Sequence, residues 1–98
     1  MKILAIETAV PGIPDGACTP HLRAEAKRAW ELCLAGVVRE LYFRQDRDTA
    51  VLVLECEDIA EAREVLGTLP LVREGLIAFE LVPLVPYPGF SRLFAEDR

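Results

Sequence analysis

The run Ala50-Val51-Leu52-Val53-Leu54 constrains this chain more than any other segment. It is short, carries β-branched residues, and is bounded by Gln45-Asp46-Arg47-Asp48 on one side and Glu55 and Glu57 on the other. Those features read as a strand rather than a helix. All five residues are apolar, so both faces of the strand avoid water. A strand of that kind lies inside a sheet that is covered above and below. The rest of the chain must supply the two covers.

The flanking segments fall into a definite order. Lys2 to Val10 reads as a first strand, and Pro11-Gly12-Ile13-Pro14-Asp15-Gly16 as a loop too rich in Pro and Gly for a regular element. Thr19-Pro20 reads as a helix start, with Thr19 as N-cap and Pro20 in the first turn. The helix is expected to run from Pro20 to Ala35. Its apolar stripe is read as Leu22, Ala26, Ala29, Trp30, Cys33 and Val37, with Trp30 in the core. Arg23, Glu25, Lys27, Arg28 and Glu31 are read as the solvated side, and Gly36 as the stop.

Val37 to Arg44 reads as a second strand, with Leu41 and Phe43 on one face and Glu40, Tyr42 and Arg44 on the other. By the same alternation Arg39 joins Leu41 and Phe43. Thr49 to Cys56 is the third strand. Asp58 and Glu61 form a capping-box pattern for a second helix, ended by Gly67 and Pro70. Leu76 to Val82 is the fourth strand, followed by an irregular tail from about residue 84. The order β-α-β-β-α-β is that of a ferredoxin-like α+β domain: a four-stranded antiparallel sheet, strand order 4-1-3-2, with two helices on one face.

Two helices cover one face only. The 98 residues suit one domain, 1–98, yet 52% of them are hydrophobic. A chain of this size buries only about two-thirds of the surface its unfolded form exposes. The surplus and the two-faced third strand point the same way. A second copy of the sheet is the expected cover, giving a homodimer through the sheet faces.

Charge and motifs exclude several functions. Eleven Lys and Arg against 16 Asp and Glu give a net charge of −5. That argues against nucleic acid and against an anionic membrane surface as partners. No apolar run approaches the roughly 18 residues of a spanning helix, and Glu7 breaks the only signal-like start, so a cytoplasmic protein is expected. Cys18, Cys33 and Cys56 contain no C-x-x-C pair; Cys18 and His21 stand alone as C-x-x-H, and no metal site is expected. Phosphate-loop, dinucleotide and serine-hydrolase motifs are absent.

Several local patterns together resemble the muconolactone isomerase family of the dimeric α+β barrel group. They are Arg23-Ala24-Glu25-Ala26-Lys27, Arg39-Glu40-Leu41-Tyr42, Leu69-Pro70-Leu71, Phe79-Glu80-Leu81 and Pro86-Tyr87-Pro88, spread from about Leu22 to Pro88. Tyr87-Pro88-Gly89 stands where the family tends to carry His-Pro-Ser. The resemblance implies a dimeric α+β barrel, formed as an isologous dimer or a larger ring of dimers. It also implies a cofactor-free isomerase that moves a proton on a small unsaturated lactone acid in aromatic-compound breakdown.

Such chemistry needs an acid/base with a tuned pKa and a cation for the substrate carboxylate. The candidates are polar residues that interrupt apolar strands. Glu7 and Glu80 are read as acid/base, Arg39 as the anion anchor, and Tyr42 and Tyr87 as hydrogen-bond donors. They cannot all converge within one chain, so a second subunit or the tail must complete any site. A non-catalytic oligomeric module that binds a small molecule, or a cofactor-free monooxygenase on the same fold, remain the alternatives.

Overall fold

Strands and helices follow the expected order, with one addition. The computed structural model describes residues 1–95. Strand β1 spans Lys2–Ala9, helix α1 Leu22–Leu34, β2 Val38–Phe43, β3 Ala50–Glu55, α2 Ile59–Leu66 and β4 Ile77–Leu84. The addition is α3, a single turn at Pro70–Arg73 where only a helix end was expected. Short 3₁₀ segments lie at Thr19–His21 and Pro88–Phe94, the second within the tail expected to be irregular. The last three residues of that tail lie outside the described residues.

The helix ends show why the chain turns where it does. Gly36 follows α1 with φ of +79°, a backbone conformation that costs glycine nothing. There Val37 N–H reaches Leu32 O at 3.1 Å and Gly36 N–H reaches Cys33 O at 3.1 Å, which closes the helix as a Schellman motif. At the start of α2, Asp58 accepts from Glu61 N–H at 2.8 Å, as the capping pattern predicts. The expected Thr19 cap is not formed: Thr19 enters a 3₁₀ turn, and α1 begins one turn later without a side-chain cap.

The sheet is antiparallel in the order β2-β3-β1-β4. The apolar β3 is therefore an interior strand, as its two-faced pattern requires. Ile3 and Ala5 of β1 and Leu52 and Leu54 of β3 point beneath the helices and are buried. Their alternates Leu4, Ile6, Val51 and Val53 are only half-buried on the other face. Pro83 lies inside β4 rather than ending it. An edge strand tolerates this because half of its N–H groups face outward.

Two expectations are corrected. The sheet is not closed into a barrel: β2 and β4 are its two open edges, separated by β3 and β1, and no pairing joins them. What stands is the open ferredoxin-like α+β sheet. Trp30 is not in the core either; it is 64% exposed. Helix α1 is rotated so that Ala29, Leu32 and Cys33 meet the sheet, and Leu32 is its one buried residue. Rotation follows from the about 100° step per residue: Leu32 and Ala29 define a stripe whose centre lies well away from Trp30.

Candidate functional site

Small side chains leave a space between α1 and the sheet. Ala26 and Ala29 on α1 and Ala50 at the start of β3 line a cavity of about 270 Å³. Leu22, Leu41, Phe43, Leu71, Ile77 and Phe79 complete an apolar wall around it. Two carboxylates, Glu7 and Glu25, enter this wall, and among the described residues no lysine or arginine lines it.

Each carboxylate is held by a backbone donor that the fold leaves free. The β1–β3 register ends at the Ile6–Val51 pair. Just beyond it, Ala50 N–H donates to Glu7 Oε1 at 2.9 Å. On the other side, Pro70 opens α3, and the N–H groups of a first helical turn have no partner within the helix. One of them, Leu71 N–H, donates to Glu25 Oε1 at 2.9 Å. The Leu69-Pro70-Leu71 segment thus fixes the orientation of Glu25.

Burial pushes the Glu25 carboxyl above its ordinary value of 4.5. The Leu71 N–H opposes that shift, and the charge of Glu7 reinforces it. A carboxyl so placed holds its proton to higher pH than a surface glutamate. With Glu7 on the same wall, two groups able to take or give a proton face one apolar space.

The five residues singled out from sequence are not brought together. Glu7 lies in the cavity. Glu80 pairs in register with Ile6 rather than Glu7, so it projects from the opposite, open face and is exposed. Arg39 sits at an irregularity in the β2–β3 register between Val38 and Glu40, which breaks the alternation that put it beside Leu41. Its Nε donates to Gly36 O at 2.6 Å. Tyr42 lies on the open face, 57% exposed, and its hydroxyl donates to Glu40 Oε1 at 2.7 Å. Tyr87 stands on the tail with its ring edge-on to Phe90, centroids 4.9 Å apart.

Glu25 is the residue missed. Its charged neighbours Arg23, Lys27 and Arg28 suggest a solvated position, but it falls three residues after Leu22 and four before Ala29. That spacing places it in the middle of the inward stripe. A wide groove of about 490 Å³ also runs between α2, α3 and β4, with Arg63 as its one charged lining residue among the described residues. Among the described residues no group of three or more His, Cys, Asp or Glu side chains could hold a metal ion. No helix among them is long and apolar enough to cross a membrane.

Comparison with known proteins bears on the fold. No protein-family model matches the chain, and no curated protein matches it by sequence. Solved structures do match. A muconolactone isomerase superposes over 100% of both chains with a TM-score of 0.72 and 24% identity. The 5-chloro-2-hydroxyhydroquinone dehydrochlorinase of Burkholderia phenoliruptrix AC1100, in complex with 2,5-dihydroxybenzoquinone, has a TM-score of 0.59 and 18% identity. That match covers 87% of this chain and 94% of the other. The chain has the fold of these enzymes.

Proposed function

We propose that the protein is an isomerase-like enzyme that shifts a proton on a small unsaturated molecule carrying a lactone or carboxylate, without a cofactor. Glu25 and Glu7 are its acid and base. The single observation that carries this reading is the pair of backbone-anchored carboxylates in one apolar cavity, with Glu25 held above its ordinary pKa. The shared fold with muconolactone isomerase and with the dehydrochlorinase supports the substrate class.

The chemistry follows from that pair. The ionised carboxylate removes a proton from the carbon next to the substrate carbonyl, and the electron pair spreads through the conjugated system as an enolate. The protonated carboxyl delivers a proton at the far end of that system. One C–H bond breaks, another forms, and the substrate changes only the position of its double bond. Apolar walls favour the transfer, since little water competes for the proton. A pair of this kind contributes about 10²- to 10⁴-fold in rate.

Solvent deuterium exchange into a panel of unsaturated lactone acids tests the proposal. Wild-type protein is expected to exchange label, and Glu25→Gln and Glu7→Gln to lose at least about 10²-fold. A panel that binds without exchanging would instead favour a non-catalytic binding module.

A further inference from the structure

We infer that the groove between α2, α3 and β4 is a second ligand site, which takes a small amphipathic monocarboxylate with its acid group on Arg63 and its apolar body along the sheet. The site lies outside the Glu7–Glu25 cavity, and it does not rest on the proposed proton shift.

The fold leaves this groove open for a local reason. Pro70 starts α3, and the chain turns out of it at Gly75, where φ is +71°. There Leu76 N–H reaches Leu71 O at 2.9 Å and Gly75 N–H reaches Val72 O at 3.0 Å, a Schellman closure that feeds directly into β4. No side chain fills that corner, and a Cβ built on Gly75 would meet nothing within 4 Å. Helix α2 is too short to cover the rest. It buries Ala62 and Leu66 and ends at once, so Val72, Ile77, Phe79 and Leu81 stay half-buried along the groove.

Size and lining suit a small apolar body. The groove holds about 490 Å³, within the roughly 300–1,000 Å³ of small-molecule sites. Leu66, Val72, Phe79 and Leu81 give it walls that gain by excluding water.

Charge fixes the other end of the ligand. Arg63 is exposed at the groove, and it forms no ion pair and no side-chain hydrogen bond with any described residue. The sequence explains why. One turn away on either side stand Ile59, Ala60, Leu66 and Gly67, none of them charged. Arg28 on α1 differs: Glu31 follows three residues on, and the two pair at 3.3 Å. An arginine with no carboxylate of its own keeps both prongs of its guanidinium for one from outside, which it binds through two parallel N–H···O bonds. One cation matches one anionic group, and the chain's net charge of −5 opposes a polyanion.

Groove and cavity share a wall. Ile77 and Phe79 line both, so these two residues alone do not tell the sites apart. Leu66, Val72 and Leu81 line the groove and not the cavity, while Leu22, Leu41 and Leu52 line the cavity and not the groove. Each site therefore carries methyl groups of its own.

Titration of octanoate into full-length protein labelled at its Leu and Val methyls tests the site. Saturable shifts are expected at Leu66, Val72 and Leu81, with Leu22, Leu41 and Leu52 unmoved. Arg63→Gln changes an exposed side chain and should weaken octanoate about 10-fold while leaving the affinity for 1-octanol unchanged. Shifts centred on the cavity methyls overturn the proposal, as does equal octanoate affinity in wild type and Arg63→Gln. A loss of 1-octanol affinity equal to that for octanoate does so too, because the variant would then have lost the groove rather than the charge. No saturable shift at millimolar octanoate also overturns it. Groove methyls that move on protein dilution and not with octanoate would assign the groove to a second copy of the chain instead.

Discussion

The two faces of the sheet carry the same residue type to opposite ends. On the helix-covered face, half-buried Glu7 shares a wall with Phe79, Ala50 and Glu25. One residue along the adjacent strand, Glu80 stands on the open face and is exposed. Sequence context barely separates them, since both interrupt apolar strands. Strand register separates them completely, because a shift of one residue moves a side chain to the other face. The proposed chemistry therefore belongs to the covered face.

The largest expected effect breaks or upholds that division. Glu25→Gln and Glu7→Gln should lower proton exchange by about 10²- to 10⁴-fold, while Glu80→Gln and Tyr42→Phe stay within about twofold of wild type. Turnover measured side by side on the four variants decides it. A Glu80→Gln variant as impaired as Glu25→Gln would move the chemistry to the open face.

These variants also mark how far the sequence could be read. The element order, the interior position of β3 and the one-sided helical cover were legible, because each follows from apolar periodicity and turn residues. Glu7 was legible as a polar break in a strand. Glu25 was not recognised because a glutamate among Arg23, Lys27 and Arg28 looks solvated. Only the rotation of α1, set by Leu32 and Ala29 packing on the sheet, turns it inward. Arg39 was misplaced for a related reason: an irregular register breaks the alternation on which its facing was argued, and no residue pattern near it announces one. The barrel expectation came from the resemblance, and an open sheet with two free edges replaces it.

Packing gives the next test, smaller in magnitude. Leu54 is fully buried under the helices, and its neighbour Val53 is half-buried on the open face. Leu54→Ala should cost about 2–5 kcal/mol in chemical denaturation, independent of protein concentration. Val53→Ala should cost about 1 kcal/mol for the isolated chain. If a second copy covers the open face, the Val53→Ala penalty grows with protein concentration, since association stabilises the folded state by mass action. A penalty that stays flat from 1 to 100 µM on the order-of-magnitude scale used for such linkage would leave that face uncovered.

The smallest effect concerns pH, where the two faces should slope in opposite directions. Glu25 has its pKa raised by burial, so the folded state binds its proton more tightly than the unfolded state does. Its contribution is favourable in acid and is lost as pH rises from the ordinary 4.5 through the raised folded value. Glu55, on the open face, is shifted the other way: the terminal amine of Met1, 2.7 Å away, holds its carboxyl below 4.5. That contribution is present above the ordinary value and is lost as pH falls through the lowered one. Thermal melts from pH 3 to 8 separate the two. Glu25→Gln should gain on wild type as pH rises and then hold level, because the amide keeps an acceptor for Leu71 N–H without a charge to desolvate. Glu55→Gln should fall behind wild type over the same rise, since it gives up a paired charge. Should both variants drift the same way, the contrast between a desolvated carboxyl and a paired one would not describe the two faces. A Glu25→Gln protein that is both inactive and more heat-resistant at neutral pH would show the covered face giving up stability to keep a carboxylate where an apolar side chain packs better.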